Sequence, residues 1–140
     1  MESITVVCFA NYCRSPVAEV ILKERFKDKF IVRSAGLRPL PDADMDHRSK
    51  EFLHRNGYSF DIHIPQKITL GMINESKLVL TLDELILMEM NKKFKHFNQN
   101  FKMLNFQQKL YKFPDPFQYD DDEYYAVMDN IKYVCESLKI

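Results

Sequence analysis

Ile4-Thr5-Val6-Val7-Cys8-Phe9-Ala10-Asn11-Tyr12-Cys13-Arg14-Ser15-Pro16 is the stretch on which the fold turns. Residues 4–8 are apolar or β-branched without alternation, as in a strand buried on both faces. Ser15-Pro16 suits a helix N-cap and first helical position. Val17, Val20, Ile21 and Phe26 keep a helical spacing behind it. A strand leading through a short loop into a helix opens a βαβ unit, and in such folds ligands collect at the carboxyl ends of the strands. Cys8 stands at such an end.

Outward from this segment, Phe30 to Arg33 reads as a second strand ending at Ser34-Ala35-Gly36. Pro39, Pro41 and three aspartates make residues 37–46 a loop. A helix from His47 to Arg55 should stop at Asn56-Gly57, a good C-cap pair. Lys77 to Leu82 is a third buried strand, followed by a Met-rich helix from Asp83 to about Lys92. Phe101 to Asn105 is a weaker fourth strand, and residues 106–119 are loop around Pro114 and Pro116. Tyr124, Met128, Ile131, Cys135 and Leu138 fall at steps of four, three, four and three, one face of a closing amphipathic helix. Strand–helix alternation implies right-handed crossovers and a parallel sheet. The expected fold is therefore α/β, one domain over residues 1–140.

Composition narrows the function. Twenty basic and twenty acidic residues cancel, so no global field draws the chain to nucleic acid or an anionic membrane. The apolar runs, Ile4 to Ala10 and Leu85 to Met88, fall far short of the roughly 18 residues of a membrane span. Glu2 stands where a secretory signal would carry positive charge, so no export is expected. Cys8, Cys13 and Cys135 are an odd number, unlike a disulfide framework, and suit a reducing cytoplasm. Lys92, Lys93 and Lys95 read as a solvated helix end, and Asp120 to Glu123 as helix N-terminal charge.

The chemistry lies between Cys8 and Arg14. Backbone N–H groups in a loop at a helix N-terminus make an anion nest. The same field would lower the thiol pKa of Cys8. Arg14 can offer two parallel donors to phosphoryl oxygens. Asn11 suits a left-handed position in the loop. On local sequence alone, Cys8 is also readable as a buried strand cysteine, Arg14 as a solvated helix-start residue and Asp115 as an Asp-Pro turn residue.

The segment Cys8-Phe9-Ala10-Asn11-Tyr12-Cys13-Arg14-Ser15-Pro16 resembles the signature loop of the low-molecular-weight protein tyrosine phosphatases, Cys-x-Gly-Asn-x-Cys-Arg-Ser-Pro. Asp115-Pro116-Phe117 matches the family's late Asp-Pro pair. Ser34-Ala35-Gly36, Asp46 to Ser49 and Leu78 to Asp83 are similar in order and spacing, so the likeness covers essentially the whole chain. It implies a four-stranded parallel sheet flanked by helices on both faces, and phosphomonoester hydrolysis without metal or cofactor.

By resemblance, Cys8 is the nucleophile that forms a phosphocysteine, Arg14 binds phosphate and the transition state, and Asp115 is the general acid and base. Phe9, Ala10, Asn11, Tyr12, Cys13 and Ser15 would form the phosphate-binding loop. Leu40 and Phe117 would border the cleft. Ser34 and His63 would support the loop from behind, with Ser15 and Asn11 in the same hydrogen-bond network. Cys13 would be placed to form a reversible disulfide with Cys8 on oxidation. The implied partner is a phosphotyrosine protein, in bacteria often a tyrosine kinase of capsule or exopolysaccharide assembly. A monomer is expected, with no nucleic-acid or membrane partner.

The chain departs from the pattern at four places. Ala10 replaces the glycine, at a cost of about 1 kcal/mol if that position needs positive φ. Tyr12 stands where tyrosine phosphatases carry an aliphatic residue and the related arginine phosphatases a threonine. Leu40 takes the place of an aromatic on the cleft wall, and Gln118 follows Phe117 where many members have a second aromatic. The competing expectations are a protein-arginine phosphatase and a catalytically impaired phosphate- or phosphoprotein-binding module. Arsenate reduction would need further resolving cysteines, and the chain has none from Arg14 to Val134.

Overall fold

The computed structural model describes residues 1–140. Nine elements follow one another along the chain: β1 (Ser3–Cys8), α1 (Arg14–Arg25), β2 (Ile31–Gly36), α2 (His47–Arg55), α3 (Leu70–Glu75), β3 (Ser76–Thr81), α4 (Glu84–Lys93), β4 (Phe101–Met103) and α5 (Asp121–Ser137). The strands form one parallel sheet in the order β2-β1-β3-β4. All six residues of β1 are buried, because this strand lies inside the sheet with a layer on each face. The short β4 is an edge.

Chain direction across the sheet reverses beside β1: β2 lies on one side of it and β3 on the other. Right-handed crossovers taken in opposite directions put their helices on opposite faces. They also leave a crevice beyond the carboxyl ends of β1 and β3, the topological switch point. The chain enters α1 there, directly after Cys8.

The closing helix follows its sequence period closely. Tyr124, Met128, Ile131, Cys135 and Leu138 are all essentially inaccessible to solvent, and α5 packs along α1 and α2. The Asn56-Gly57 stop also holds: Asn56 is the C-cap of α2 and Gly57 has φ of 78°, the left-handed position that glycine takes without strain. Sequence period did not reveal α3, a helix of only six residues capped by the Thr69 side chain. One turn and a half is too short to establish a 3.6-residue period.

The start of α1 differs from expectation. Its N-cap is Cys13, with no side-chain cap, and Ser15-Pro16 lies inside the first turn. The Ser15 hydroxyl is engaged elsewhere, as described below. Proline is tolerated there because first-turn amides have no intrahelical acceptor. No helix is long and apolar enough to cross a membrane.

Candidate phosphate-binding site

Residues 8–14 wrap from the end of β1 to the start of α1. The turn is made at Asn11, which has φ of 54° and is wholly buried. Its side chain makes three hydrogen bonds: Nδ2 donates to Ser15 Oγ (2.8 Å) and Ser34 Oγ (2.9 Å), and Oδ1 accepts from Gln66 N (3.0 Å). Ser34 Oγ in turn donates to Glu19 Oε1 at 2.6 Å. His63 Nε2 is 2.7 Å from Asn11 O; a carbonyl only accepts, so this ring nitrogen carries the proton. These bonds hold the left-handed residue of the loop from four directions. Ala10, by contrast, is absent from the positive-φ residues, so alanine replaces glycine there without the backbone strain that positive φ would impose.

Gly36 supports the same loop by being absent as a side chain. A Cβ there would lie 2.8 Å from Phe9 O and 2.9 Å from Asn11 N. The loop is also stitched to the following segment by Leu37 N to Cys8 O, Arg38 N to Phe9 O and Leu40 N to Ala10 O. Overpacking against fixed backbone costs about 1–3 kcal/mol. Gly36→Ala should therefore lower Tm in thermal unfolding and, by displacing Phe9 and Asn11, weaken phosphate binding as well. An unchanged Tm would show that the loop yields freely.

Cys8 is 3% exposed. Its Sγ lies 2.8 Å from Ser15 Oγ and accepts from Asn11 N at 3.2 Å. Because Ser15 Oγ already accepts from Asn11 Nδ2, its hydroxyl proton is free to point at sulfur. Around that sulfur, the amides of Phe9, Ala10, Tyr12 and Cys13 donate to no protein acceptor. Side chains cap α2, α3, α4 and α5, whereas α1 has neither a side-chain cap nor an acidic residue in its first turn. Uncommitted amides at an uncapped helix N-terminus can hold a tetrahedral anion.

Arg14 is 2% exposed. Its Nη1 donates to Asp83 Oδ2 (2.8 Å) and Phe113 O (2.7 Å). Nε and Nη2, a pair whose geometry matches two oxygens of one phosphoryl group, donate to no protein atom. Asp83 does two jobs, since its other oxygen caps α4 through Ile86 N. The sequence showed it as a helix start; nothing in it revealed the bond to Arg14.

The remaining candidates are largely at the surface. Asp115 is exposed and accepts from Phe117 N at 3.2 Å; its charge reaches the Cys13 thiol, though it bonds neither Cys8 nor Arg14. Phe117 is 53% exposed and meets Tyr12 edge to face with ring centroids 6.1 Å apart. Leu40 and Phe9 are also exposed apolar side chains. All three cysteines are free. Burial, followed by the Asp46 and Cys8 charges, pushes the Cys13 thiol up to about 12, against the opposing Tyr124 hydrogen bond. Cys13 therefore stays protonated near neutrality. Three supports escaped the sequence reading: Glu19, Gln66 and the Asp46–Arg48 pair. Only the last lay in a segment singled out there, and without a role. A groove of about 640 Å³ lies behind the loop, with Glu19, Ser34, His63 and Gln66 in its wall. No group of three or more His, Cys, Asp or Glu is placed to hold a metal.

A family model described as low molecular weight phosphotyrosine protein phosphatase matches residues 3–139. Among curated relatives, the chain is 33% identical over 84 residues to a probable low molecular weight protein-tyrosine-phosphatase, AmsI, of Erwinia amylovora. That match covers 60% of this chain and 58% of the relative's length. It is 29% identical over 127 residues to the Ptp phosphatase of Acinetobacter johnsonii, covering 85% of this chain and 82% of that one. Among solved structures, the Erwinia amylovora tyrosine phosphatase AmsI superposes with a TM-score of 0.89 at 24% identity, covering 97% and 90% of the two chains. A YwlE mutant from Bacillus subtilis gives 0.86 at 23% identity, covering 97% and 95%. At these identities the superpositions establish the fold: a four-stranded parallel sheet with flanking helices.

Proposed function

Because the chain belongs to the low molecular weight phosphotyrosine protein phosphatase family, we propose that it hydrolyses phosphotyrosine in proteins through a phosphocysteine on Cys8. The observation that carries this reading is the set of uncommitted donors beside the sulfur: the loop amides of Phe9, Ala10, Tyr12 and Cys13, and Arg14 Nε and Nη2. They supply what a phosphoryl group needs, fixed N–H donors where charge develops. The Cys8 thiolate attacks phosphorus and the P–O bond to the phenol breaks. Asp115 gives its proton to the leaving oxygen, because an unprotonated phenolate leaves poorly. Asp115, now a carboxylate, takes a proton from the water that attacks the phosphocysteine. Inorganic phosphate departs and the thiolate is restored.

The Tyr12–Phe117 pair, with Leu40 tied through its amide to Ala10 O of the same loop, favours an aromatic substrate over phosphoarginine. It offers a ring a wall to pack on. An aromatic contact supplies up to about 1.5 kcal/mol, about tenfold in specificity. The test compares kcat/KM for one peptide carrying phosphotyrosine or phosphoarginine at the same position. We expect phosphotyrosine to be preferred by about tenfold; a preference for phosphoarginine would reverse the assignment. Binding of phosphate without turnover of either peptide would leave only a binding module. The implied partner is a phosphotyrosine-bearing protein in the cytoplasm, a bacterial tyrosine kinase among the candidates, met by a monomer.

A further inference from the structure

The backbone on either side of Asp115 is tied by an arginine. Arg14 Nη1 bonds Phe113 O, two residues before it. Arg48 Nη2 bonds Phe117 O at 3.0 Å, two residues after it, and Arg48 Nη1 bonds Tyr119 O at 2.9 Å. Every hydrogen bond that reaches residues 115–119 from outside that segment comes from Arg48; the others, Phe117 N to Asp115 Oδ1 and Tyr119 N to Pro116 O, are internal. Exposed loop backbone with so few outside ties depends heavily on the ties it has.

Arg48 is itself tightly fixed. Its Nε and Nη2 donate to Asp46 Oδ1 and Oδ2 at 3.1 and 3.0 Å, a fork that lysine does not reproduce. Its guanidinium carbon lies 4.0 Å from the centroid of the buried Tyr124 ring. Asp46 N donates to Tyr12 O at 3.0 Å, inside the Cys8 loop. Burial pushes the Asp46 carboxyl up, but the Arg48 bonds and charge outweigh it and hold that carboxyl below the usual carboxylate range. A continuous chain of bonds thus runs from Tyr12 through Asp46 and Arg48 to the Phe117 and Tyr119 carbonyls.

We propose that Arg48 is a positioning residue for Asp115, locking the Asp115 segment to the Cys8 loop so that the carboxyl is held over the leaving oxygen. This rests on the reading of Asp115 as the acid. An arginine that merely stabilised the start of α5 would affect all substrates alike. One that places the acid affects only substrates whose leaving group needs a proton.

The experiment measures kcat/KM for phenyl phosphate, whose phenolate needs protonation, and for 2,4-dinitrophenyl phosphate, whose leaving group does not. The enzymes are wild type, Arg48→Lys, Arg48→Met, Asp115→Asn and the Arg48→Met/Asp115→Asn double variant. We expect Arg48→Met to lose about tenfold or more on phenyl phosphate and less than about threefold on the dinitrophenyl ester. Arg48→Lys should show the same selectivity with a smaller loss. In the Asp115→Asn background, Arg48→Met should cost less than about twofold more on phenyl phosphate, since groups that act as a unit are non-additive. Equal losses on both substrates, no loss on phenyl phosphate, or full additivity with Asp115→Asn would each overturn the proposal. If Arg48→Met does not fold, Arg48→Lys decides on the same criteria. If Asp115→Asn itself fails to discriminate between the two esters, the acid reading falls first, and that result is distinct from a failure at Arg48.

Discussion

Cys8→Ala should abolish aryl phosphate turnover, by at least about 10⁴-fold in kcat, the scale at which removal of a nucleophile is felt. The substitution removes one sulfur and little else. Asn11 keeps Ser15, Ser34 and Gln66, and Arg14 keeps Asp83 and Phe113. The variant should therefore unfold near the wild-type Tm. Inorganic phosphate should still bind, because its donors are the loop amides and Arg14. Stopped assays, thermal unfolding and phosphate titration read these three quantities separately. Retention of turnover within about tenfold of wild type would remove the nucleophile from the scheme.

Asp115→Asn should lower kcat/KM for phenyl phosphate by about 10²- to 10⁴-fold, the usual contribution of a positioned acid. Asparagine keeps an oxygen for the Phe117 amide, the single hydrogen bond that Asp115 makes, so the loss is one of proton supply. Asp115 is exposed, and stability should change little. The second half-reaction also loses its base, so the phosphoenzyme should break down slowly and accumulate. A uniform loss across leaving groups would argue that Asp115 holds the loop and transfers no proton.

The fold was legible where one residue pattern answers to one physical cause. Unbroken burial of β1, the period of α5 and the Asn56-Gly57 stop each follow from a local rule. The six-residue α3 did not, because it is shorter than the period that would disclose it. The N-cap of α1 departs from its sequence pattern for a different reason. Ser15-Pro16 has the composition of a helix start, yet Ser15 is turned to the sulfur of Cys8 and the helix begins two residues earlier than expected, at Arg14 with Cys13 as its N-cap. A local preference gave way to a tertiary contact.

The site divides in the same way. Cys8, Asn11, Arg14 and Ser15 stand within eight residues, and their types and spacing already suggest an anion cradle. Glu19, Gln66, Asp83 and the Asp46–Arg48 pair belong to it through contacts that no spacing encodes: Arg14 to Asp83 spans 69 positions, and Arg48 to Tyr119 spans 71. Gly36 was visible as a strand end. Its reason, backbone packed within 3 Å of where a side chain would begin, needed the folded loop.

A rapid-quench experiment with a ³²P-labelled aryl phosphate on wild type, Asp115→Asn and Cys8→Ala would trap the phosphocysteine itself. We expect a burst of phenol release with label bound to the peptide containing Cys8, more persistent label in Asp115→Asn, and none in Cys8→Ala. Phenol released without a burst by a wild-type enzyme that carries no label during turnover would rule the phosphocysteine out.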